Sequence, residues 1–328
     1  MLLSRVAETV YWMSRYIERA ENTARIIMVN SNLLLDLPKG IAPGWEPILA
    51  IMGCGETFNE FFQEANERNV AKFLIADKRY HSSIISSLYQ AREDMRTTRA
   101  IIPQGTWETL NDLYYFAKDN VSSGLTRSGR YEYLKQIIRR CQMLNGTMSG
   151  SMSHDLTYDF VRIGRNIERA DMTTRVLDVR ASNLLPKQVE DLKPFEDIQW
   201  KSVLESIAAY QMYRRHVHVR VQGTAVLAYL LQDKQFPRSV HYCLTEIEGC
   251  LRTLPSNESP LRMLGRAQRM VRQADEQILV KEKLNNYIND LQILLGNLGE
   301  QLTVTFFQAE YLREENAEAI IERGDTAA

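Results

Sequence analysis

The stretch MLLSRVAETVYWMSRYIERAENTAR, residues 1–25, carries the pattern that decides the architecture. Val6, Val10, Met13, Ile17, Ala20 and Ala24 recur at alternating steps of four and three, and the series continues through Ile27, Ser31 and Leu34. This is the period of an α-helix with one apolar seam. Pro38, Gly40, Pro43 and Gly44 then end it. Working outward, helical stretches are predicted at 45–67, 81–102, 106–121, 130–149, 153–184, 197–215, 223–232, 239–254, 260–279 and 282–319. Breaks fall at Pro103, Ser122–Gly124, Pro186, Pro194, Pro237 and Pro255. Val217–Val221 alternates apolar and polar residues but is too short and isolated to pair as a strand. The predicted fold class is all-α, a helical bundle, with a tail that frays beyond about Glu314.

Composition agrees with this. In 328 residues, 45% are hydrophobic and 25% charged, enough apolar material for one large core or two smaller ones. Only 16 Gly and 9 Pro are present, below average usage, so tight turns are scarce and sandwiches or barrels are disfavoured. Forty Lys and Arg against 41 Asp and Glu leave a net charge of −1, which supplies no bulk attraction to nucleic acid or an anionic bilayer. Arg5, Glu8, Arg15 and Glu18 interrupt the N-terminal stretch before an apolar run long enough for a signal peptide, and no stretch approaches a membrane span. A cytoplasmic location is expected, with Cys54, Cys141, Cys243 and Cys250 as reduced, buried thiols. None of the four forms a CxxC pair, and Cys243 and Cys250 lie too far apart on a helix to bridge.

The chain also matches itself. RYIERAENTAR at 15–25 aligns with RNIERADMTTR at 165–175, identical at seven of eleven positions. Trp45–Leu49 then matches Trp200–Leu204, and Asp77–Ser83 matches Asp233–Ser239, with Leu88 facing Leu244. The offsets are 150, 155 and 156 residues. Collinear matches of this kind are expected of two tandem, internally duplicated helical halves, 1–150 and 151–328, packed as one continuous domain over about 1–315 or as two cores.

On a helix, Arg15, Glu18, Asn22 and Arg25 form one polar stripe, and Arg165, Glu168, Met172 and Arg175 repeat it. Glu21 with Arg25, and Asp171 with Arg175, are acid-before-base pairs at i,i+4. Arg19 and Arg169 project nearer the opposite edge. One reading makes these residues charged flanks that solubilise two core helices. The sharper reading has the two motif helices cross, so that Glu18, Arg19, Glu168 and Arg169 converge in a buried ion-pair network able to fix register or hold an anionic or amino ligand.

Other constellations are weaker. Arg262, Arg266, Arg269 and Arg272 line one helix face, read either as a solvated face or as a docking strip for an acidic partner or phosphate groups. Arg214, Arg215, His216, His218 and Arg220 form a second basic patch. Neither has the interleaved aromatics of a nucleic-acid platform, so nucleic-acid binding is not expected. No Glu-x-x-His occurs and the five histidines are scattered, so no metal is expected. Phosphate-loop and dinucleotide signatures are missing, and no cofactor is expected. Ser149, Ser151, Ser153, His154 and Asp155 are neighbours in sequence, which does not make a triad. Asp77 and Asp233 are predicted to cap or introduce the helices that follow them.

With these residues in hand, a family resemblance emerges. YWMSRYIERAENTAR (11–25), AREDMRTTR (91–99), TWETLN (106–111), IGRNIERADMTTRVLDVR (163–180) and FPRSVHYCL (236–244) are similar to the bacterial alpha-E domain proteins, an all-helical family named for a Glu-Arg motif. The resemblance covers about residues 1–315. Its motif maps onto Glu18-Arg19 and Glu168-Arg169, with Asn22 in the first half where the second has Met172. The resemblance implies partners: a circularly permuted ATP-grasp ligase and a transglutaminase-like protein, beside or fused to which such proteins are encoded. The expected function is therefore a non-catalytic accessory or interaction protein of an amide or peptide ligase system, with the oligomeric state open. Two alternatives stand beside it. One is an enzyme of amide or peptide bonds with a Glu/Arg site that also uses Tyr16 or Asn166. The other is an anion or nucleic-acid binder acting through Arg262–Arg272.

Overall fold

A computed structural model describes residues 4–37, 44–183, 193–217, 221–275 and 281–308. Among these, fifteen α-helices occur and no strand. In chain order they are α1 (Ser4–Asp36), α2 (Glu46–Met52), α3 (Gly55–Asn59), α4 (Glu67–Ala76), α5 (Ile84–Thr97), α6 (Gln104–Asp119), α7 (Val121–Leu125), α8 (Arg127–Ser151), α9 (Leu156–Asn183), α10 (Lys193–Ser206), α11 (Tyr210–Val217), α12 (Gly223–Gln232), α13 (Val240–Leu251), α14 (Glu258–Arg272) and α15 (Lys281–Leu302). A π-helical turn at Thr303–Phe307 follows. The frayed tail expected beyond Glu314 lies outside the described residues, as do His218 and Arg220.

Two rings of packed helices share the middle of the molecule. α1 packs on α5 and α8, and α6 closes the ring between them. α9 packs on α13 and α15, and α14 closes the second ring. The rings join where α1 packs along α9. Each is further clasped from the other side, since α2 lies against α9 and α10 against α1. The buried apolar residues of both rings form one contiguous cluster.

This placement explains why α1 is more than a helix with one seam. The seam residues Val10, Met13, Ile17, Ala20, Ala24 and Ile27 are buried, but so are Tyr11, Ser14, Glu18, Glu21, Asn22, Thr23, Arg25 and Asn30. From Ala20 to Ile27 every residue of α1 is buried, so the polar residues there must find partners inside.

Helix boundaries differ from the sequence reading where local chemistry intervenes. The stretch 45–67 is not one helix: Gly53 adopts φ 62° and ends α2, and Cys54 starts α3. α4 was missed by the periodicity; the Asn66 side chain caps it by accepting from the Asn69 N–H. The stretch 197–215 is split at Ala208, a non-glycine residue at φ 55°. Asp77 and Asp233 close α4 and α12 rather than opening the next helices. Ser83 and Ser239 are the N-caps, each hydroxyl accepting the backbone N–H three residues on. The π-helical turn seats Phe307 against Tyr11 of α1 and Phe160 of α9, with ring centroids 5.2 and 5.9 Å apart.

Candidate functional site: a reciprocal Glu-Arg clasp

The crossing of α1 and α9 is held close by a missing side chain. A Cβ on Gly164 would lie 2.3 Å from Ser14 Oγ and 2.3 Å from the Tyr11 carbonyl oxygen. Only glycine lets the two backbones approach this far. One turn further along, the motif residues meet across the crossing.

Glu168 projects from α9 onto α1. Its carboxylate accepts from Arg15 Nε at 2.9 Å, from Arg19 Nε at 2.6 Å and from Arg19 Nη2 at 2.9 Å. The Arg19 contact is the two-pronged fork that suits a carboxylate. Glu18 makes the converse contact from α1: Arg169 Nε lies 3.1 Å from Glu18 Oε2. The 150-residue offset carries the Glu18–Arg169 contact onto Glu168–Arg19, and the Ser14–Gly164 contact onto itself.

The surroundings of the two carboxylates differ. Glu18 is also bound by Arg238 Nη1 at 2.5 Å, and the same nitrogen donates to Asn22 Oδ1 at 2.9 Å. Arg238 Nη2 donates to Glu21 Oε1 at 2.9 Å, and Arg25 pairs with the same carboxylate. Gln142 on α8 donates to Glu21 Oε1 at 3.4 Å. The position matched to Arg238 in the first half is Ser82, whose hydroxyl instead accepts from Arg19 Nη1 at 3.3 Å. Arg15 donates its Nη1 to the Tyr11 hydroxyl and stacks 4.7 Å from the Trp12 ring centroid. The Arg19 guanidinium lies 5.7 Å from that of Tyr16.

Electrostatics follow from this crowding. Glu168 and Glu18 are almost fully enclosed, with side-chain exposures of 2% and 0%. Burial pushes the Glu168 carboxyl up, but Arg19 and Arg15 outweigh it and hold its pKa down at about 2. Burial likewise opposes Arg238 and Arg25 at Glu21, and the guanidiniums again prevail, leaving it at about 2. Both groups are fixed anions at neutral pH. With three N–H donors on its two oxygens, Glu168 has little basicity left for proton abstraction.

The polar-flank reading of the motif helices therefore fails: Glu18, Arg19, Glu168 and Arg169 converge, and Arg15 joins them. Arg19, placed by helical angle near the opposite edge, swings its long side chain into the clasp. Arg25 belongs to the network through Glu21, in a buried pair rather than an exposed one. Arg165 is half-buried and stands apart; its Nε is buried with no hydrogen-bond partner. Arg175 pairs with Asp171 at 2.8 Å on a partly exposed face and packs over Gly53. Arg262, Arg266, Arg269 and Arg272 are all exposed on α14. His154 stacks on Tyr158 while Asp155 caps α9, so the serine-rich break is a helix boundary. Among the described residues no group of His, Cys, Asp and Glu could hold a metal ion, and no helix is long and apolar enough to cross a membrane. The four cysteines are free and buried.

Sequence reasoning missed Tyr11, Ser82, Gln142 and above all Arg238. The signal for Arg238 was present in the alignment of Asp77–Ser83 with Asp233–Ser239, where it stands opposite Ser82 immediately before the capping serine.

Comparison with known proteins places this clasp in a family. The chain is 22% identical over 326 residues to an uncharacterised protein of Mycobacterium bovis and to uncharacterised proteins of two Mycobacterium tuberculosis strains, CDC 1551 and H37Rv. Each alignment covers 91% of this chain and 35% of the relative, so the chain spans about a third of the length of these relatives. No solved structure matches the chain significantly. Residues 2–307 match the profile of Alpha-E, described as a predicted alpha-helical domain with a conserved ER motif. With Glu18-Arg19 and Glu168-Arg169 as its two Glu-Arg pairs, locked onto each other across α1 and α9, the chain belongs to the Alpha-E family.

Proposed function

We propose that this chain is a non-catalytic helical accessory module of an ATP-grasp amide or peptide ligase system, in which the Glu-Arg motif serves as the internal clasp of two tandem halves. The observation that carries this reading is the state of Glu168, whose two oxygens accept three N–H donors from Arg15 and Arg19. Glu168 is held ionised at about 2 by two arginines, which suits a structural lock and not an acid-base catalyst. The contacts that exchange under the 150-residue offset support the duplication, since a pseudo-twofold crossing makes mates of such pairs. That the mycobacterial relatives carry a matching segment within chains about three times longer supports a module that works joined to other domains.

The partner reading rests on the family resemblance: a circularly permuted ATP-grasp ligase, with a transglutaminase-like protein in the same system, in the cytoplasm. The test is to purify this chain with a circularly permuted ATP-grasp ligase of the kind the resemblance implies and measure the mass of the mixture by size-exclusion chromatography with light scattering. A stoichiometric complex, with or without nucleotide, is the expected result. Two separate species at micromolar concentration under both conditions would overturn it. Exposed arginines on α14 give the partner surface a first place to look, and their removal by Arg266→Ser and Arg269→Ser tests that directly.

A further inference from the structure

Outside the clasp, α1 and α5 border a groove made of two adjoining hollows. One encloses about 520 Å³ and the other about 230 Å³, and Tyr16 and Gln90 line both. The larger falls in the size range of small-ligand sites. The groove is polarised along its length. Lys78 and His81 stand at one end, and Glu8 and Asp94 at the other. Between them run aromatic walls, with Tyr16 and Tyr89 on the wide side and Trp12 on the narrow side.

The acidic end is uncompensated. Gln90 Nε2 donates to Asp94 Oδ1 at 3.0 Å, but Asp94 Oδ2 is buried with no hydrogen-bond partner. Burial pushes the Asp94 carboxyl up to about 6, opposed by the Gln90 hydrogen bond and reinforced by the charges of Glu93 and Glu8. A carboxylate in that state gains from an arriving cation. The positions that the offset matches to Trp12 and Gln90 are Arg162 and Glu246, and these pair with each other at 2.7 Å. The groove is thus a property of the first half's side chains, not of the helical packing alone.

We propose that this groove binds a short zwitterionic peptide, its ammonium group at Asp94 and Glu8 and its carboxylate at Lys78 and His81. The α5 wall of the groove, Ile85 to Asp94, runs about 14 Å at 1.5 Å per residue, comparable with an extended tetrapeptide at about 3.3 Å per residue. The exposed Tyr89 ring and the half-buried Tyr16 ring flank the peptide backbone. Tyr16 is itself held by the clasp through the Arg19 guanidinium, so the motif braces one groove wall.

The inference goes beyond the ligase reading and does not depend on it, because the test uses this chain alone. Isothermal titration calorimetry compares tetra-alanine with its N-acetylated and its C-amidated forms. Free tetra-alanine is expected to bind, and each blocked form to bind at least about tenfold more weakly. Asp94→Asn should abolish the discrimination against the acetylated form, and the surface change Lys78→Gln the discrimination against the amide. Absence of binding by free tetra-alanine at millimolar concentration, or equal binding of all three peptides to the unmodified chain, would overturn the proposal.

Discussion

Replacing Glu168 by glutamine keeps the shape of the clasp and removes its charge. The amide loses the ion pairs to Arg15 and Arg19 and turns an NH₂ group towards a guanidinium, with almost no solvent to compensate. In the folded chain the carboxyl is held at about 2 instead of its ordinary 4.5. At about 1.4 kcal/mol per unit, that difference is about 3 kcal/mol of stability at neutral pH, at the lower end of what breaking a buried pair costs, about 3–5 kcal/mol. For a chain of this length it lowers Tm by about 5 °C. Because the folded value is depressed, the contribution is complete above pH 4.5 and is lost as pH falls towards 2. The assay is urea unfolding of the parent and Glu168→Gln chains between pH 7 and pH 3. The gap between them should be about 3 kcal/mol at pH 7 and less than half of that near pH 3. A gap under about 0.5 kcal/mol at pH 7, or one that does not change with pH, would refute the reasoning.

Further outcomes follow from the same geometry. Gly164→Ala drives a methyl into Ser14 and the Tyr11 backbone and should destabilise by about 2–3 kcal/mol. Gly146→Ala, in α8 with open space around the new methyl, should instead stabilise by about 0.5–1 kcal/mol; thermal melts of the two variants check both signs. Arg238→Met leaves Glu18 and Glu21 buried without their shared cation, and chemical denaturation should show a loss of about 3 kcal/mol or more. Asp94 has a raised folded pKa, so its ionisation opposes folding and stability falls as pH rises from 3.8 through about 6. Asp94→Asn should therefore stabilise the chain at pH 8, by about 1 kcal/mol after discounting for solvent screening, and be neutral near pH 3.8 in a pH series of melts.

How far the sequence carried this account differs from element to element. The seam of α1 and the 150-residue echo of the Glu-Arg motif are periodic signals, legible as a helix and as a repeat, but they leave open whether the motif helices cross or carry charged flanks. α4 escaped because it is only ten residues long, and the helical spacing of Val70, Phe73 and Leu74 covers a single turn beyond its asparagine cap. The direction taken by Arg19 was misjudged because a helical wheel fixes only the angle at Cα. A side chain with four rotatable carbons and nitrogens reaches across that angle when a buried carboxylate waits on the next helix. Arg238 could be aligned but not assigned a role, since its contact with Glu18 joins residues 220 positions apart. The burial of Glu21 and Arg25 was invisible for a different reason: an i,i+4 pair reads the same on a surface helix as on a central one, and only the surrounding helices decide which it is.

The central claim is that Arg19 and Glu168, far apart in sequence, act as one unit inside a shared core. A double-mutant cycle measures this most directly, with Arg19→Met, Glu168→Gln and their combination unfolded in urea at pH 7. The account predicts a coupling energy of about 1.5 kcal/mol or more, the double variant being far less damaged than the two single changes summed. Effects that simply add, within about 0.5 kcal/mol, would contradict it.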